Sequence, residues 1–142
     1  MWRERISAEP SAWRGTANGP RVLVEHHDPN VGLAVGDLLA SEGYEVATCG
    51  GPADRRPCPL SRGDRCGRTA EADVVLFGLE VEDELDRDVL ARLKTAMPDT
   101  PIVVEIPTAR VPLYAAELDG CVTVPRPMTR DALLEAIERS LR

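Results

Sequence analysis

The chain has 142 residues, 43% of them apolar, and carries a formal charge of −7 from 24 acidic and 17 basic side chains. That size fits one hydrophobic core and excludes a comfortable two-domain arrangement. The acidic balance disfavours direct nucleic-acid binding over a broad surface, which needs clustered Lys and Arg to displace counterions; Lys94 is the only lysine, so nearly all the positive charge is arginine.

Residues 1–19 carry Trp2, Trp13, Pro10, Gly15 and scattered charges without helical or strand period, and are expected to be a flexible N-terminal arm. From residue 20 to 142 the pattern alternates between strands and helices, the signature of a parallel sheet covered on both faces. Val22, Leu23 and Val24 form a short buried strand. Asp28 before Pro29 suits a helix N-cap followed by a first-turn proline, and Val31, Val35, Leu38 and Leu39 recur on one helical face until Gly43 stops it. Gly32 and Gly36 within that helix are close-packing positions. Residues 44–49 read as a second strand and 74–79 as a third. Residues 82–97 read as a helix with Leu85, Val89, Leu93 and Met97 inward, ended by Pro98. A fourth strand spans 102–106, a short helix falls within 112–118, and a fifth strand spans 121–124. Thr129 caps a last helix with Leu133, Leu134, Ile137 and Leu141 inward. The whole fits an α/β, flavodoxin-like, doubly wound five-stranded parallel sheet of order 2-1-3-4-5.

One stretch departs from that rhythm. Residues 50–72 are rich in proline, glycine, arginine and cysteine and lack a helical apolar face, so an irregular insertion is expected where a second helix belongs.

Several segments together resemble the receiver domains of bacterial response regulators, the chemotaxis receivers among them. They are Glu25-His26-His27-Asp28-Pro29, Ala72-Asp73-Val74-Val75-Leu76-Phe77-Gly78-Leu79, and Val122-Thr123-Val124-Pro125-Arg126-Pro127. The resemblance covers 20–142, interrupted at the insertion. By that resemblance His26 and His27 stand where the family holds Mg²⁺ with two acids, and Gly78 stands where it has the phospho-acceptor aspartate. Ile106 takes the place of the switch hydroxyl unless a two-residue shift brings Thr108 there. Arg126 replaces the conserved lysine, and Pro127 keeps the proline whose preceding peptide bond is often cis in the family. Phosphoryl transfer needs a carboxylate nucleophile and oxygen ligands for a hard cation; glycine supplies no nucleophile and imidazole is a poor Mg²⁺ ligand. The resemblance therefore implies a pseudo-receiver, part of a two-component signalling pathway, that acts on a protein partner without phosphorylation. Its working surface is expected on the last two strands and helices or on the insertion, with homodimerisation through the carboxy-terminal face.

A second reading starts from the cysteines. Cys49, Cys58, Cys66 and Cys121 are too few for a secreted disulfide framework and suit thiols, metal ligands or redox groups of a reducing compartment. His26, His27, Cys49, Cys58 and Cys66 converge toward one end of the expected sheet, a set that suits zinc or iron, or reversible oxidation. Cys121, at the start of a buried strand, reads as a small core residue. No apolar run approaches the roughly 20 residues that span a bilayer, and 1–18 lacks the apolar centre of a secretory signal, so a cytoplasmic location without membrane contact is expected. The acidic run Glu80, Glu82, Asp83, Glu84, Asp86 and Asp88 suits a helix N-terminus, with a partner-binding patch as the alternative. No phosphate loop or catalytic constellation is recognisable, and no enzyme activity or catalytic residue is expected.

Overall fold

The computed structural model describes residues 13–53, 59–60 and 66–142. Six strands form one sheet: β1 (Arg14–Gly15), β2 (Arg21–His26), β3 (Glu45–Cys49), β4 (Val74–Gly78), β5 (Ile102–Ile106) and β6 (Val122–Pro125). Their order is β1-β3-β2-β4-β5-β6. The five longer strands are parallel, in the order 2-1-3-4-5 expected from the alternation, and β1 adds an antiparallel pair to the edge of β3.

The helices are α1 (Pro29–Ser41), α2 (Gly67–Glu71), α3 (Glu84–Ala96) and α4 (Arg130–Ser140). The caps follow from local chemistry. Asp28, Asp83 and Thr129 each sit in extended backbone and accept amide hydrogen bonds from the first turn behind them, satisfying donors that have no partner within the helix. Successive side chains of each strand point to opposite faces. Val22, Val24, Val46, Leu76 and Val103 pack under Leu39 of α1 and Leu133 and Ile137 of α4. Leu23, Val75, Phe77 and Val104 pack under Val89, Leu90 and Leu93 of α3 on the other face. Each such aliphatic or aromatic side chain contributes about 1.5–3 kcal/mol when fully buried.

Three local expectations are corrected. Residues 13–19 belong to the folded domain: Trp13 is buried against the α3-side core, its ring lies 5.0 Å from the Arg21 guanidinium, and Arg14 pairs with Asp37. Two residues of strand are too short to show a period, so the sequence did not mark β1; residues 1–12 lie outside the described part. In α3 the buried face is Asp86, Val89, Leu90 and Leu93, while Leu85 is 61% exposed. Asp86 takes the inward place because it accepts the Glu80 backbone N–H at 2.9 Å. The segment after β5 is a 3₁₀ stretch over Thr108–Tyr114 followed by turns to Gly120, upstream of the helix expected within 112–118.

Within the stretch that departs from the alternation, Gly51–Ala53 is a 3₁₀ turn and α2 supplies five residues of helix next to β4. Residues 54–58 and 61–65, Cys58 among them, lie outside the described part. Gly36 is buried where α1 crosses β3, as its close-packing reading requires; a Cβ there would lie 3.3 Å from Val46 Cγ1. Among the described residues no helix is long and apolar enough to cross a membrane.

Candidate functional site

The carboxyl ends of β2, β4, β5 and β6 bring His26, Gly78, Glu105 and Arg126 into one row on the α1 side of the sheet. His26 is in register with Gly78, and Glu105 with Val124 two residues before Arg126. Gly78 contributes only backbone, and the His26 ring lies across the gap. A Cβ at position 78 would stand 2.6 Å from His26 Cδ2, 2.9 Å from the Glu25 carbonyl oxygen and 3.0 Å from Glu105 Oε1. Any side chain there collides with its neighbours, one of which is backbone.

His26 is 6% exposed and held at both ring nitrogens. The Asp28 backbone N–H donates to Nδ1 at 3.0 Å, so the proton of the neutral ring sits on Nε2, which faces Glu105 Oε1 at 3.2 Å. Glu105 is 5% exposed. Burial pushes its carboxyl up, but His26 and the Arg126 guanidinium, whose Nε lies 3.3 Å from Oε2, outweigh that and hold it below the ordinary carboxylate range. Arg126 also donates to Glu80 Oε1 at 2.6 Å and to the Gly78 carbonyl at 3.2 Å. His27 stacks on His26 with ring centroids 4.8 Å apart, and its Nδ1 lies 3.3 Å from the Gly78 carbonyl oxygen and 3.2 Å from Glu80 Oε1. Both are acceptors, so this nitrogen is the donor. The Arg126–Pro127 peptide bond is cis.

Ile106 lies in the core on the α3 side, one residue past Glu105 and on the opposite face. Asp28 has its carboxylate turned to the N-cap of α1, accepting from Asn30 N–H at 2.9 Å. The row is therefore held together by charge: two acids, one guanidinium and two imidazoles lie against one another, with Glu105 Oε1 buried 3.2 Å from His26 Nε2 but accepting no well-aligned hydrogen bond.

On the α3 side, beside Phe77 and Cys49 in register, Glu25 is 2% exposed. Its Oε1 has no hydrogen-bond partner. Burial, helped by the negative charge of Asp86, pushes its carboxyl up to about 8, so Glu25 is a neutral acid at pH 7. Burial raises Asp86 as well. Cys49 accepts from Gly51 N–H at 3.3 Å, and both it and Cys66, the residue preceding α2, pack against the α3-side core. His26, by contrast, faces α1: its Cβ lies 3.4 Å from where a Cβ on Gly32 would stand. Cys49 and His26 thus lie on opposite faces of the sheet, separated by its thickness. Among the described residues no group of three or more His, Cys, Asp and Glu side chains is disposed to hold a metal ion. Cys121 is half-buried and its thiol is pushed up by burial.

Sequence reasoning placed the two histidines, Gly78 and Arg126 but missed Glu105, which joins them. A signal was available: a glutamate inside Ile102–Ile106, an apolar strand of a sheet covered on both faces, needs a buried cationic or hydrogen-bonding partner.

No protein-family model matches this sequence, and no curated protein matches it. Solved structures do match in fold. A response regulator receiver domain protein of Clostridium thermocellum aligns at 18% identity with a TM-score of 0.64, over 86% of this chain and 94% of that one. The N-terminal receiver domain of a two-component response regulator from Bacteroides fragilis aligns at 20% identity with a TM-score of 0.66, over 88% and 98%. A CheY-like receiver domain protein of Methanospirillum hungatei aligns at 17% identity with a TM-score of 0.65, over 87% and 94%. At these identities the likeness is one of fold: the flavodoxin-like receiver architecture, with β1 added at one edge.

Two outcomes follow. Gly78→Ala should destabilise the protein by about 1–3 kcal/mol through overpacking. The cost should shrink by roughly 1 kcal/mol in a His26→Ala background, because the closest of the three obstacles is then gone and the Glu25 carbonyl and Glu105 Oε1 remain; a denaturant-unfolding double-mutant cycle measures this coupling. For Glu25, the folded chain keeps a proton up to about pH 8 that an ordinary glutamate releases near 4.5. The unfolded state therefore binds fewer protons in that window, and stability falls as pH rises through it, by about 1.4 kcal/mol per pH unit at most. Glu25→Gln removes this slope, so the variant should gain on the parent steadily from pH 5 to 8 in denaturant melts. Parallel curves would contradict the buried neutral acid.

Proposed function

We propose that this chain is a receiver-like signalling module that works through contact with a protein partner and takes no phosphoryl group. The observation that carries this reading is the filled position 78. Receiver chemistry passes a phosphoryl group to an aspartate beside Mg²⁺, and both requirements fail on the residues present. Glycine offers no nucleophile, and the room an acceptor side chain needs is taken by the His26 ring, the Glu25 carbonyl and Glu105. Mg²⁺ wants near-octahedral oxygen ligands; the positions that would provide them are His26 and His27, and the nearby Glu80 and Glu105 carboxylates are bound by Arg126. A cation brought there would face a guanidinium.

What the residues do instead is hold one arrangement. Arg126 ties the end of β6 to β4 through the Gly78 carbonyl and to β5 through Glu105, while His26 ties β2 to β5 across β4. A phosphorylation switch needs two arrangements of this edge with a bias between them; a closed ring of ion pairs favours one. The fold then serves as a fixed platform, and its output depends on which partner meets its surface. This reading includes no enzymatic step and no direct contact with nucleic acid.

The test is incubation of the full chain with acetyl phosphate and Mg²⁺, read by intact-mass spectrometry with hydroxylamine treatment. The expected result is no phosphoryl adduct, and Gly78→Asp alone should stay inert because the His26 ring remains in place. A triple variant, His26→Asp, His27→Asp and Gly78→Asp, controls for the assay by gaining a hydroxylamine-labile adduct. Labile phosphate on the unaltered chain would overturn the proposal.

A further inference from the structure

We propose that Glu25 and Asp86 form a proton-controlled latch: with Glu25 protonated, Asp86 holds the loop between β4 and α3 by the Glu80 amide, and loss of the Glu25 proton releases that loop and loosens the row of ion pairs on the other face of the sheet. This goes beyond the protein-contact reading by giving a module that takes no phosphoryl group a chemical input of its own. Glu80 is the joint. Its backbone N–H donates to Asp86 Oδ2 at 2.9 Å, while its carboxylate lies 2.6 Å from Arg126 Nη1 and 3.2 Å from His27 Nδ1. One residue is thus anchored by its backbone to α3 and by its side chain to the row, so a shift of the amide carries the carboxylate with it. Asp83 caps α3 and leaves Asp86, on the buried face of the first turn, to serve the loop.

The latch works because the two carboxyls cannot both be charged in place. Glu25 is buried with Oε1 unpartnered, a position tolerable for a neutral acid and costly for an ion. The groups around it offer no compensation. Its neighbours in register are the Cys49 thiol on β3 and the apolar Phe77 on β4, and the Gly51–Ala53 turn, which meets α3, has no titratable side chain. Among the described residues Asp86 is the charge that bears on it, and it is negative. Burial disfavours the charged form of Asp86 as well, against its hydrogen bond from the Glu80 amide; Asp83 and the Glu80 carboxylate add to the burial effect and His27 opposes it. A charge on Glu25 therefore drives one carboxylate toward water. Glu25 is fixed in β2, between two paired strands. Asp86, 9% exposed and one turn from the start of its helix, is the one that can leave.

The test follows the full chain by NMR from about pH 6 to 10. It reads the ¹³C shift of the Glu25 carboxyl together with the protection of the Glu80 amide, its exchange rate taken relative to an unstructured peptide at the same pH. The expected result is a Glu25 titration with its midpoint at about 8, and a fall of roughly tenfold or more in Glu80 protection through that midpoint while the amides of β4 and β5 keep theirs. The Arg126 Nε–H signal should move with it. In Glu25→Gln, neutral at every pH, Glu80 should stay protected throughout. Asp86→Asn keeps an oxygen acceptor without the charge, so Glu25 should lose its proton at lower pH there; this variant and the parent decide the matter even without Glu25→Gln. A Glu80 amide still protected once Glu25 is ionised, or a loss of protection that persists in Glu25→Gln, would overturn the latch. So would a Glu25 titration in the ordinary carboxylate range or absent below about pH 10, or protection lost equally at β4 and β5, the mark of global unfolding. None of these outcomes bears on phosphate uptake, so this inference and the functional reading fail separately.

Discussion

His26 reaches Glu105 because the strand between them carries glycine. β2 and β5 are not neighbours; β4 separates them, and an ordinary residue at position 78 would fill the interval with its own side chain. With only backbone there, the imidazole spans the gap, Glu105 gains an ion-pair partner on each side, and Arg126 closes the row from β6. The orientation of His26 depends in turn on Asp28, whose N–H fixes the tautomer and whose carboxylate starts α1. A contact across the sheet edge and the first turn of a helix are thus held by the same two residues.

The sheet buries two acids by different physics. Glu105 remains charged because a guanidinium and an imidazole replace the water it loses, and its carboxyl is held below the ordinary range. Glu25, two strands away and on the opposite face, has no such partner and keeps its proton instead. The difference is one of side: strand alternation puts Glu105 in the row with Arg126 and puts Glu25 against the α3 core beside Phe77. Stability follows suit, since Glu105 favours the folded state above ordinary carboxylate pH and loses that effect on acidification, whereas Glu25 favours it at low pH and opposes it toward pH 8.

Local chemistry was legible in the sequence wherever it acts over a few residues. Asp28 and Thr129 as caps and Gly32 and Gly36 as close contacts came from patterns with a span shorter than one helix, while the strand order came from the alternation of elements along the chain. What failed depends on contacts that no period displays. Leu85 carries the right period to face inward, but Asp86 displaces it because the Glu80 amide, near the start of the preceding loop, wants an acceptor. Trp13 looked like part of an arm because the α3-side core that buries it is built from segments far along the chain. His26, Gly78 and Arg126 were singled out one at a time in the sequence. That they compensate one another through Glu105 is a property of register, which one sequence does not display. The proposed joint use of His26 and Cys49 foundered on the same point, for adjacent strand ends can aim their side chains to opposite faces.

The ring of contacts around Gly78 is tested most directly by the tautomer of His26, read from long-range ¹⁵N–¹H correlations of the imidazole near neutral pH. The contacts require a single tautomer protonated at Nε2, with Nδ1 showing the shift of a hydrogen-bonded acceptor, and loss of that signature in Gly78→Ala, whose methyl group displaces the ring. An averaged pair of tautomers, or a ring protonated at Nδ1, would mean that the imidazole is not fixed between Asp28 and Glu105, and the closed edge on which the proposed function rests would have to be abandoned.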